Sequence, residues 1–195
     1  MHQTPQRPAL KYLQGYADDV RAQVKQQIAE GRLGSSLLAR YTESHEVRND
    51  RALFDYVGEL RLRHMKGAPQ LAKVAYDNKL QIVQHALGTH TTVSRVQGSK
   101  LKAKREIRIA SLFKQAPAPF LRMIVVHELA HLKEREHDRA FYALCTHMEP
   151  AYHQLEFDLR LWLTWLDLQR AAATDQACAA PGATTTETSI QPGSR

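Results

Sequence analysis

Val125-Val126-His127-Glu128-Leu129-Ala130-His131, with His137 six residues further on, is the stretch from which the rest of this chain can be read. It has the form H-E-x-x-H-x5-H. On a helix, positions i and i+4 lie on one face a turn apart, so His127 and His131 can aim two imidazoles at one point. Glu128, beside the first histidine, can reach a water held there. Two histidines and a glutamate in this register are the signature of zinc hydrolases, with the histidines as ligands and the glutamate as general base. Met123, Ile124, Val125, Val126, Leu129 and Ala130 make the helix apolar on nearly every side, which predicts burial. Pro117 and Pro119 stand where helices start. The plainer reading makes both histidines hydrogen-bonded core residues and puts Glu128 in an ion pair, since buried polar groups need partners either way.

The third ligand is a separate question. Six residues of continuous helix turn through about 600°, which would face His137 away from the other two. The helix is therefore expected to end after His131, with Lys133-Glu134-Arg135-Glu136 as a solvated last turn or loop. Asp138 is a good N-cap for a new helix, whose apolar positions are Phe141, Leu144, Cys145 and Met148. His137 then lies at a helix–loop–helix junction that can turn it back towards a metal. A solvated loop histidine is the other reading. Glu156 and Asp158, on a later helix, are the alternative third ligands.

With 195 residues, 43% of them hydrophobic and 24% charged, the chain suits one soluble globular core. No apolar run reaches ~18 residues, so no membrane-spanning helix is expected. Residues 1–8 contain no apolar signal core, and a cytoplasmic protein is expected. Cys145 on a predicted apolar helix face and Cys178 near the end form no Cys-x-x-Cys pair, so neither a disulfide nor a thiolate zinc site is expected. The net charge is +7. Arg95, Lys100, Lys102, Lys104, Arg105 and Arg108 concentrate part of it against one acid, Glu106. Such a run could contact the phosphates of a nucleotide or nucleic acid, although a solvated loop and strand face has the same composition.

Around the metal motif, the pattern predicts an α+β protein. Residues 1–70 read as an N-terminal helical extension. Leu10, Leu13, Tyr16, Ala17, Val20, Val24 and Ile28 form a helical stripe that Gly31 and Gly34 end, Leu37–Tyr41 reads as a short helix, and Asn49-Asp50 caps another with Leu53, Phe54, Val57, Leu60 and Leu62 as its apolar positions. Residues 71–170 form the core. Val74–Tyr76, Leu80–Val83, His90–Val96 and Arg105–Ile109 read as strands, turned at Asp77-Asn78-Lys79, in a small and mainly antiparallel sheet. The metal helix follows, then the helix from Asp138, then a last helix from about Ala151 to Arg170. Residues 171–195, rich in Ala, Thr, Pro and Gly, are expected to be disordered.

The motif, His137, Phe141 and Pro150-x-Tyr152 together resemble the YgjP-like metallopeptidase family, a group of small zincins related to the SprT-like and WLM groups. The likeness in motif and pattern covers roughly residues 70–168. It implies a compact α+β zincin core, with His127, His131 and His137 as zinc ligands and Glu128 as base. Many members carry an Arg/Trp-Gly-Ser segment, where this chain has Arg95-Val96-Gln97-Gly98-Ser99 without the aromatic. Glu134 stands where metzincins have a glycine, so the chain is not read as one of those.

The expected chemistry is attack on a peptide carbonyl by a zinc-activated water that has lost its proton to Glu128. Tyr152, His153 or Arg95 could steady the developing oxyanion, and a peptide could lie along a free sheet edge. Two other classes fit. One is hydrolysis of a non-peptide bond, such as a nucleotide phosphoanhydride, which the basic run would suit. The other is a nucleic-acid-associated module with a structural metal, against which an intact Glu128 speaks.

Overall fold

The computed structural model describes residues 10–68, 70–80 and 105–179. The apolar stripe near the start folds as two pieces, a 3-10 turn at Lys11–Leu13 and helix α1 at Asp18–Ala29. Gly31 then takes φ +67°, the left-handed conformation that glycine adopts without strain, and α2 runs from Leu33 to Arg40. Helix α3 spans Asp50–His64, and the Asn49 side chain caps it by accepting from the Ala52 amide at 2.9 Å.

Strands β1 (Lys73–Asp77) and β2 (Glu106–Ala110) pair in parallel, with Val74 opposite Ile107 and Tyr76 opposite Ile109. This corrects the expected direction, since a mainly antiparallel sheet was read from the sequence. The alternation in Glu106–Ala110 is real, with Ile107 and Ile109 buried and Arg108 exposed. Alternation reports which face is buried, not which way the partner strand runs. Leu80 is not in a strand. The expected strands at 81–83 and 90–96 lie outside the described residues, as do Arg95, Lys100, Lys102 and Lys104. The Tyr76 amide donates to Asp50 Oδ1 at 2.9 Å and its hydroxyl to the Val47 carbonyl at 2.6 Å. The start of α3 is thus fastened to the sheet across residue 70.

Helix α4 (Ala118–Ala130) begins directly after Pro117. Its apolar residues Met123, Ile124, Val125, Val126, Leu129 and Ala130 are all buried, as their surround-apolar pattern requires. Helix α5 (Arg139–Met148) starts where Asp138 Oδ1 accepts from the Phe141 amide at 3.0 Å. Helix α6 runs from Tyr152 to Ala179, nine residues past the expected end at Arg170. Residues 171–176 are exposed, so burial does not hold them helical. Local preference does: the segment is alanine-rich and meets no breaker before Pro181-Gly182. Residues 180–195 lie outside the described residues.

Helix α6 also carries the N-terminal segment. Arg160 donates to the Tyr12 carbonyl at 3.1 Å, Asp167 pairs with Lys11 at 2.6 Å, and α2 packs against Trp165 through Gly34. Among the described residues no helix is long and apolar enough to cross a membrane.

Candidate metal centre

Three ring nitrogens meet at the end of α4. His131 Nε2 lies 3.2 Å and His137 Nε2 3.3 Å from His127 Nε2, and the potential donor atoms of all three residues fall within 4.8 Å of one another. The helix places the first two by its own period. It stops at Ala130, with His131 as its C-cap, and the turn through Lys133–Asp138 brings His137 back.

This arrangement fits a cation. Tetrahedral ligands at ~2.05 Å from zinc stand about 3.3 Å apart, which is the spacing of the two measured pairs. Neutral imidazole nitrogens crowded this closely, with lone pairs converging, repel one another unless a proton or a cation lies between them. Three imidazoles are also the donor set of a catalytic zinc site, which leaves a fourth position open. Among the described residues the triad is the group of three or more His, Cys, Asp or Glu side chains that could hold a metal ion.

Phe141 forms the floor. Its ring is fully buried, with centroids 5.0 Å from His127, 4.5 Å from His131 and 4.6 Å from His137. One aromatic thus limits how far any of the three imidazoles can turn. His127 is itself buried, and His131 and His137 are partly open, so the triad faces outward from an apolar base.

Each of the first two histidines is braced from behind. His131 Nδ1 donates to the Glu134 carbonyl at 2.9 Å, and His127 Nδ1 lies 2.7 Å from the Tyr152 hydroxyl. Such outer contacts fix ring orientation and tautomer in metal sites. The sequence offers Tyr152 as a group to steady the oxyanion. It is fully buried and its hydroxyl sits behind His127, on the Nδ1 side, away from where the Nε2 atoms converge. Burial pushes the hydroxyl far above its ordinary pKa, so it stays protonated. The Pro150-x-Tyr152 pattern marked the position but not its task, because that depends on how α6 packs on α4.

Glu128 is partly buried on α4, and desolvation pushes its carboxyl up to about 8. A cation nearby would draw that value back down. Glu128 is not part of the convergent group.

The alternative third ligands are committed elsewhere. Asp158 is buried and accepts from Arg40 at 2.9 Å, Tyr41 at 2.5 Å and Gln154 at 3.0 Å. Glu156 pairs with Arg160 at 2.8 Å. His153 is exposed and packs its ring on Tyr142, centroids 5.3 Å apart. In the basic run, Arg105 donates to the Leu132 carbonyl at 2.8 Å, just past the end of α4, and Arg108 pairs with Asp77 at 3.0 Å. Both described arginines therefore serve local structure.

A family model described as YgjP-like, metallopeptidase domain, matches residues 38–161. It starts well before residue 70, where the motif alone began. An Escherichia coli (strain K12) protein called UTP pyrophosphatase is 59% identical over 159 residues, covering 82% of this chain and 95% of the relative. No solved structure gives a significant match. The triad on the helix and the extent of both matches agree: the chain belongs to the YgjP-like family and is a metallohydrolase.

Proposed function

We propose that this protein is a zinc-dependent hydrolase of the phosphoanhydride bond of a nucleoside triphosphate, with UTP as the first substrate to try. His127, His131 and His137 hold the metal and Glu128 is the general base. The convergence of three Nε2 atoms, with Glu128 following His127 directly in the chain, carries the hydrolase part of this reading. The substrate part is supported by the 59% identical relative named for UTP.

A bound Zn2+ supplies Lewis acidity, polarising a phosphoryl oxygen and lowering the pKa of water towards ~7. The chain's own residues do the rest. Glu128 accepts the proton that water loses as it attacks phosphorus. The bond between the α-phosphorus and the bridging oxygen breaks, giving a nucleoside monophosphate and pyrophosphate. Phe141 and the buried base of α4 keep the imidazoles fixed while charge builds on the substrate, so little reorganisation is needed.

Peptide hydrolysis is the second reading, favoured by the H-E-x-x-H register that serves peptidases and by the description of the matched domain. The same triad and base would act on a carbonyl. A direct comparison separates the two. Zinc-loaded protein is given UTP, the other nucleoside triphosphates and casein peptides, and products are resolved by chromatography. UMP and pyrophosphate from UTP, lost in Glu128→Gln, are expected. Peptide cleavage with no triphosphate turnover would overturn the nucleotide reading in favour of the second.

A further inference from the structure

A nucleoside triphosphate brings a base as well as phosphates. The run of single bonds from the α-phosphorus through the ribose to the base spans roughly 5–7 Å. A triphosphate whose α-phosphate lies at the triad therefore sets its base about one side chain away from the three imidazoles. A base has two flat faces, and the protein surface that suits such a face is an aromatic ring open to solvent on one side.

Among the described residues, Phe141, Tyr142 and Tyr152 stand with their rings beside the triad. Phe141 and Tyr152 are fully buried, one as the floor under the imidazoles and the other behind His127. Neither offers a face to a ligand. Tyr142 is half-buried, and its ring centroid lies 6.4 Å from that of His137. The exposed His153 ring extends it outward, with centroids 5.3 Å apart and planes at 38°. Tyr142 lies near the start of α5, just after His137, and His153 near the start of α6.

We propose that Tyr142 and His153 form the platform on which the nucleobase of the substrate stacks while its α-phosphate lies at the triad. The 6.4 Å step from His137 to Tyr142 matches the reach of the ribose. A base held between two rings needs them about 7 Å apart, two stacking distances of ~3.5 Å. The 5.3 Å between Tyr142 and His153 excludes that, so the base lies on the outer surface of the pair. Stacking accepts every base, because each has a π-face. The platform therefore holds a base without selecting uracil, and a preference for uracil comes from contacts along its edge. The proposal rests on the phosphoanhydride reading of the triad, since a peptide carries no nucleobase.

Equilibrium binding tests it, measured by titration calorimetry on the full Glu128→Gln chain loaded with Zn2+, in which turnover is slowed. UTP is compared with inorganic tripolyphosphate, which has the phosphates and no base. Adding His153→Ala or Tyr142→Ala should weaken UTP binding about fivefold to a hundredfold. Tripolyphosphate should bind within about twofold of the Glu128→Gln parent in both, because stacking contributes nothing to it. Tyr142→Phe keeps the ring and should keep UTP affinity. CTP should lose as much as UTP does, because the platform reads no edge.

Circular dichroism checks folding. Tyr142 packs against the core, so should Tyr142→Ala fail to fold, photocrosslinking of the Glu128→Gln chain to 5-iodo-UTP gives the answer. The crosslinked peptide should carry Tyr142 or His153, and a crosslink confined to other residues would overturn the platform. Unchanged UTP affinity in either folded variant would overturn it too, as would equal losses for UTP and tripolyphosphate, and each of these results leaves the phosphoanhydride reading standing. A parent chain that binds neither UTP nor tripolyphosphate would overturn both.

Discussion

Gly34 lies directly against the indole of Trp165: a Cβ placed on it would come within 2.2 Å of Trp165 Nε1. This close approach lets α2 dock on α6. Gly34→Ala should therefore destabilise the protein by about 1–3 kcal/mol, the range for overpacking. Gly58, in mid-α3 with nothing within 4 Å of its Cβ position, is the control. There alanine should stabilise by roughly 0.5–1 kcal/mol through helix propensity. Thermal melts of the two variants should shift in opposite directions.

Glu128→Gln should separate metal binding from chemistry. The amide is nearly isosteric but cannot take a proton from water, and loss of a general base costs roughly 10^2–10^4 in rate. Metal content should stay at the wild-type level, whereas His137→Ala should lose metal and turnover together. Elemental analysis beside turnover checks both. Loss of metal from Glu128→Gln would make Glu128 a ligand.

Asp158→Ala should lower stability by about 2–4 kcal/mol, because Arg40, Tyr41 and Gln154 lose their shared buried acceptor. Zinc content should be unaffected in the folded fraction. A stable variant that had lost its metal would reinstate Asp158 as a ligand.

Arg105→Ala should cost about 1–2 kcal/mol, since it leaves the Leu132 carbonyl without its charged donor. Urea titration measures this. A phosphate-binding role would show instead as a raised KM for UTP with unchanged stability.

How much of this was legible from sequence follows the range of the interactions. The one-turn spacing of His127 and His131, the stop after His131 and the cap at Asp138 are local, and the structure has all three. The strand direction was not legible, because the choice of pairing partner is non-local. The fate of Asp158 was hidden for the same reason, as Arg40 and Tyr41 lie more than a hundred positions away. Tyr152 could be located by its pattern, but its function depends on the fit of α6 against α4. The last helix was read too short because a tail composition outweighed the absence of any breaker between residues 171 and 179.

Helix α6 has a bearing on how the site is born. His127, His131 and His137 leave the ribosome before Tyr152 and before the helix that ties down Lys11 and Tyr12 through Asp167 and Arg160. During synthesis the three imidazoles therefore exist for a time without their back wall, and the turn at Lys11–Leu13 without its anchor. A nascent chain in that interval can offer histidines to any passing cation but cannot hold them in register. Metal loading should consequently be selective only once α6 has been made and has closed over both ends of the molecule.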